Sequence, residues 1–167
     1  YQKQNDFPYS HLVELHISMQ TKKHINISLI GCGMWGRNIA RNCASLGLLH
    51  SVVDTDPERA GEFAASFSCQ AMDFEAVCTD NNIAGVMISA SAAAHEGLAI
   101  TALQAGKHVF IEKPMALSLA AAENIEKAAR ENGREVMIGH LIRYHPVFQE
   151  LLRQVKNGAI GKLRHIQ

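Results

Sequence analysis

The chain has 167 residues, 47% of them apolar and 19% charged, which suffices for one core-bearing domain and excludes a disordered tail. Sixteen Lys and Arg balance sixteen Asp and Glu, so neither net charge nor a basic block points to nucleic acid or an anionic membrane surface. No apolar run approaches the roughly 18 residues of a transmembrane helix, and the start lacks the charged-then-apolar pattern of a signal peptide.

In chain order, residues 1–23 hold no clear period, and Met19 would be a natural start for a chain opening directly into a strand. The stretch before it reads as upstream coding sequence, a cloning remnant or a loosely docked helix. From there, short runs rich in Ile, Val and Leu alternate with amphipathic stretches, the pattern of a parallel α/β sheet covered on both faces. Strands are expected over residues 25–30, 48–54, 84–88, 108–111 and 136–139. Helices are expected over 36–46, 57–66, 95–105, 118–132 and 146–157. Pro57 follows Asp56 at a helix start, and Gly106, Gly133 and Gly158 follow helix ends. Residues 162–167 read as a strand that begins and stops. The expected division is therefore an extension over 1–23, a dinucleotide-binding domain over 24–160 and the beginning of a second domain over 161–167. Cys32, Cys43, Cys69 and Cys78 form no CxxC pair and have no His at ligand spacing. They read as buried free thiols, with no metal site and a cytosolic location.

The first strand runs into Gly31-Cys32-Gly33-Met34-Trp35-Gly36, a GxGxxG loop. Its first glycine permits the strand-to-helix turn, its second lets backbone approach a diphosphate, and its third lets helix pack against strand. The helix that follows would aim its N-terminal N–H groups at the phosphates. Asp54, ending the second strand, would accept hydrogen bonds from ribose hydroxyls and repel a 2′-phosphate, which favours NAD over NADP. Arg59 would soften that preference, and Asp56 reads as the helix cap. A methyltransferase, which also combines a glycine loop with an acid after its second strand, stays open at this point. The strand over 108–111 delivers Glu112-Lys113-Pro114 to the carboxyl end of the sheet, where open α/β sheets bind ligands. A lysine there can hold a substrate oxygen and share in its proton transfer, and Pro114 could adopt a cis bond.

Taken together, the glycine loop with Trp35 inside it, Asp54 followed by Pro57-Glu58-Arg59-Ala60, and the run from Ala105 to Pro114 resemble the glucose–fructose oxidoreductase / inositol dehydrogenase family, often called Gfo/Idh/MocA. Gly139-His140, Arg143-Tyr144-His145-Pro146 and Gly158-Ala159-Ile160-Gly161-Lys162 extend the likeness nearly to the last residue. The resemblance implies an α/β Rossmann-type doubly wound sheet, followed in family members by a second domain that is largely absent here. It implies a nicotinamide-dependent oxidoreductase of sugars, nucleotide sugars or cyclitols, with possible homo-oligomers and no nucleic-acid or membrane partner. Carried over by position, Lys113 is the catalytic lysine. Gly31, Gly33, Met34, Trp35, Gly36, Asp54, Ser89, His95, Glu112, Pro114 and Arg143 are the cofactor-binding candidates, with His95 reading equally as a packing or capping residue. Residues 139–146 look most like members such as UDP-N-acetylglucosamine 3-dehydrogenases. Where the family usually has Thr-Pro after the fourth strand, this chain has Ala90-Ser91, so that loop loses stiffness and a hydroxyl. The family's Asp/His pair in the second domain has no counterpart, which leaves a non-catalytic dinucleotide-binding module or a truncated gene product as the alternative.

Overall fold

The structure, a computed structural model, describes residues 25–165. The expected extension over 1–23 lies outside the described residues, as do Ile166 and Gln167. The six strands are β1 Asn26–Ile30, β2 Leu49–Val53, β3 Gln70–Ala71, β4 Ile83–Ile88, β5 His108–Ile111 and β6 Val136–Ile138. The helices are α1 Met34–Ser45, α2 Pro57–Phe67, α3 Phe74–Thr79, α4 His95–Gln104, α5 Leu119–Glu131 and α6 Pro146–Lys156. All strand pairs are parallel, in the order β3-β2-β1-β4-β5-β6. The order in which strands are added thus reverses between β1 and β4, and that reversal opens a crevice at the carboxyl ends.

Side chains alternate across the pleat. Leu29 and Val52 point to one face and pack with Ala40 and Phe63, under α1 and α2. Ile30, Val53, Ile88 and Ile111 point to the other face and meet Ala99, Leu103 and Ile125 from α4 and α5. Both faces are covered, so the strands read as unbroken apolar runs rather than as an alternating pattern. Between the layers sits a buried polar pair, Ser28 on β1 and Ser51 on β2, whose hydroxyl oxygens lie 2.6 Å apart. Lys107 is also buried, and its ammonium donates to the carbonyls of Asp80 (2.6 Å) and Ile83 (3.0 Å) at the amino end of the sheet.

Helix ends follow local chemistry. Asp56 caps α2 by accepting the Glu58 and Arg59 N–H groups, with Pro57 at the first position. Gly106, Gly133 and Gly158 turn left-handed after α4, α5 and α6. One strand and one α-helix were not expected, β3 and α3, nor were the short 3-10 turns over Ala92–Ala94 and Leu141–Tyr144. Residues 162–165, expected as the start of a strand, form none; among the described residues no neighbouring strand runs beside them, and a strand without a partner has nothing to satisfy its backbone. No helix among the described residues is long and apolar enough to cross a membrane.

Candidate functional site

Register builds the site. Val53, Ile30, Ile88, Ile111 and Ile138 stand side by side at the ends of five neighbouring strands. Beyond this row the backbone ladder takes one more step. Gly31 N–H donates to Val53, Ser89 to Ile30, Glu112 to Ile88 and Gly139 to Ile111, all at 2.8–2.9 Å. The residues just past the strands (Asp54, Gly31, Ser89, Glu112 and Gly139) therefore form a single crest, although 85 residues of sequence separate the first from the last.

The glycine loop leaves this crest with no spare room. Gly31 has φ +101°, and a Cβ there would lie 2.7 Å from the Ala90 nitrogen. At Gly36 a Cβ would lie 2.2 Å from the Gly31 carbonyl oxygen and 2.9 Å from Ser89 Oγ, so helix and strand touch through backbone. Ser89 Oγ also donates to that carbonyl at 2.8 Å, tying the crest of β4 to the loop. Gly33, by contrast, faces open space. It starts α1, which has no side-chain cap, so the first-turn N–H groups of Met34, Trp35 and Gly36 keep no partner within the helix. Bare backbone at Gly33 beside free donors suits a diphosphate.

Asp54 closes the other end of this cleft. Its Oδ2 accepts the Cys32 N–H at 2.7 Å, and its Oδ1 accepts the Asp56 N–H at 2.9 Å and the Arg59 guanidinium at 3.0 Å. Burial pushes the Asp54 carboxyl up, but the Asp56 and Cys32 N–H groups and Arg59 outweigh it and hold it below its ordinary value. The cleft, about 560 Å³, is lined by Gly31, Gly33, Asp54, Arg59, Ser89 and Ser91 among others. Asp73 and Phe74, at the start of the unexpected α3, complete its wall. The loop's own Cys32 takes no part in chemistry: it is buried, and burial followed by the nearby Asp54 charge pushes its thiol up to about 12. All four cysteines are free, Cys32 and Cys43 buried and Cys69 and Cys78 only half-buried, a correction to the expectation that all four are buried.

At the far end of the crest, Lys113 and Pro114 follow Glu112, with a cis peptide between them. Lys113 is exposed and lines a cavity of about 790 Å³ with Trp35, Glu112, Gly139, His140 and Arg143. A smaller pocket of about 280 Å³ lies between Trp35, Ser89, Ala90, Glu112 and Lys113. His95, expected among the cofactor ligands, instead works inside the protein. It is 1% exposed, and its ring nitrogens face the carbonyls of Pro114 (2.8 Å) and Ala90 (3.0 Å). A carbonyl only accepts, so the ring donates from whichever nitrogen carries the proton, and His95 braces the two crest loops from inside.

Sequence reasoning missed the link from the Cys32 N–H to Asp54 and the hydrogen bond from Trp35 Nε1 to Glu112 Oε1 at 2.6 Å. Neither leaves a periodic signal, because each joins strand ends that meet only in the folded sheet.

A parallel sheet in this order, with a glycine loop at its reversal point and an acid after β2, defines a dinucleotide-binding domain. The profile of the oxidoreductase family with an NAD-binding Rossmann fold (Gfo/Idh/MocA) matches residues 25–140, and the chain belongs to that family. Inositol 2-dehydrogenase from Acidothermus cellulolyticus is 32% identical over 149 residues, which are 86% of this chain and 44% of that protein. UDP-N-acetylglucosamine 3-dehydrogenase from Acidithiobacillus ferrooxidans is 36% identical over 137 residues, 81% of this chain and 43% of the other. Among solved structures, KijD10, a 3-ketoreductase from Actinomadura kijaniata in complex with NADP and TDP-benzene, superposes with a TM-score of 0.77 at 25% identity. That match covers 84% of this chain and 44% of the other. The chain thus spans less than half the length of the curated relatives it matches.

Proposed function

We propose that this domain is the cofactor-binding half of a dehydrogenase that moves a hydride between a nicotinamide dinucleotide and a secondary carbinol of a sugar or nucleotide sugar. The observation that carries the reading is the cleft from Asp54 to Gly33, where an acid held ionised and a bare helix N-terminus face one space. The dehydrogenases among its relatives support the chemistry. Asp54 grips the adenosine ribose, and the first turn of α1 holds the diphosphate, with Gly33 admitting its close approach. Ser89 keeps the loop in place through its bond to Gly31. When bound, the nicotinamide supplies the hydride acceptor. Lys113 holds the carbinol oxygen and shares in its proton transfer. Arg143, across the same cavity, faces the substrate or the nicotinamide end.

NAD is the favoured dinucleotide, because the Asp54 carboxylate would repel a 2′-phosphate. Arg59 is already committed to that carboxylate at 3.0 Å. The four free thiols suit a reducing cytosol. The Lys113 cavity is lined by Leu141 and Ile142, which are 53% and 73% exposed, so its substrate side is open to solvent. Calorimetric titration with NAD and NADP tests the cofactor reading. NAD should bind more tightly by at least about tenfold, the size of one charge repulsion; tighter NADP overturns the role of Asp54, and binding of neither overturns the function.

A further inference from the structure

We propose that Trp35 and Glu112 form a pair of positioning residues that hold the Lys113 turn and wall off the dinucleotide side of the groove from its substrate side. The inference rests on the dehydrogenase reading above. Glu112 is 7% exposed, yet among the described residues it makes no ion pair. Its carboxylate is held by two neutral donors. The Trp35 indole donates to Oε1 at 2.6 Å, and the backbone N–H of Lys113 donates to Oε2 at 3.2 Å. An indole can only donate and an ionised carboxylate can only accept, so the pair has one sense. A third element closes in behind: a Cβ on Gly139 would lie 3.0 Å from Oε1, so β6 leaves the carboxylate no room to swing away.

Three chain segments that meet only at the crest thus converge on one carboxylate, and that carboxylate grips the backbone of the residue assigned to chemistry. On the other side of the same turn, His95 faces the Pro114 carbonyl at 2.8 Å. The Lys113 backbone is bracketed, which leaves its side chain as the movable part. The same two residues also divide space. Trp35, Glu112 and Lys113 line both the 280 Å³ pocket against Ser89 and Ala90 and the 790 Å³ cavity against His140 and Arg143. Trp35 reaches this position from the first turn of α1 while staying 46% exposed, so its ring forms a wall and not a core.

The test uses the full-length protein for turnover and this chain, in which Trp35 is the single tryptophan, for spectroscopy. Trp35→Phe keeps the ring and removes the donor; Glu112→Gln keeps the shape and removes the charge. Each should lower kcat roughly tenfold, as expected for losing a hydrogen bond to a charged group. The double variant should be no slower than the slower single, because the two act as one unit. In 1H–15N spectra without dinucleotide, the Trp35 indole N–H resonance should move upfield in Glu112→Gln. Wild-type kcat in Trp35→Phe, additive losses, or an unmoved indole resonance would overturn the pair. Lys113→Ala separates the two levels. If it abolishes turnover while Trp35→Phe keeps the wild-type kcat, the pair alone falls; if it leaves turnover intact, the dehydrogenase reading falls and takes the pair with it.

Discussion

The two ends of the groove are built differently. Around Asp54 every wall comes from this domain: the loop, the start of α2 and the start of α3 enclose the acid, whose side chain is 8% exposed and carries three strong donors. Around Lys113 the cavity is lined by Leu141, Ile142 and Phe148 of α6, a helix with no buried residue. The first end is finished, enclosed by the described residues, and the second is open.

The sharpest way to break this contrast is at the finished end. Gly36→Ala puts a methyl 2.2 Å from a backbone oxygen, and α1 cannot retreat without leaving the sheet. We expect a loss of about 3 kcal/mol in urea unfolding together with loss of dinucleotide binding by calorimetry. Asp54→Asn comes next, at about 2 kcal/mol near neutral pH for weakened charge-assisted bonds. Its pH dependence has a fixed sign. A carboxyl held below its ordinary value stabilises the fold above the unfolded value, about pH 4, and loses that contribution as pH falls through the folded one. Unfolding curves of wild type and Asp54→Asn should therefore converge as pH drops below about 4. At the open end the effect should be smallest: Ile142→Ser, at a side chain 73% exposed, should change the stability of this chain by less than about 0.5 kcal/mol. A larger loss in the unfolding midpoint would show that the Lys113 cavity is already a closed site.

The glycine loop was legible in the sequence because its turn demands glycine locally, Asp54 by its place after the second strand, and the Glu112-Lys113-Pro114 run through its resemblance to the family. The strand β3 was not, since two residues cannot show an alternation, and α3 has only six. His95 stayed open between ligand contact and packing for a related reason. A histidine after a β4 loop looks the same in sequence whether it faces a ligand or, as here, spans from Ala90 to Pro114 across the interior.

By itself, then, the sequence determined the layered α/β arrangement, the glycine loop and the acid after the second strand, because apolar runs, glycines and caps act over a few neighbouring residues. Only the folded sheet decided that Asp54, Gly31, Ser89 and Glu112 share one crest, that Trp35 grips Glu112 and that His95 turns inward. Those relations are set by strand order and register, which place residues tens of positions apart within one hydrogen bond of each other.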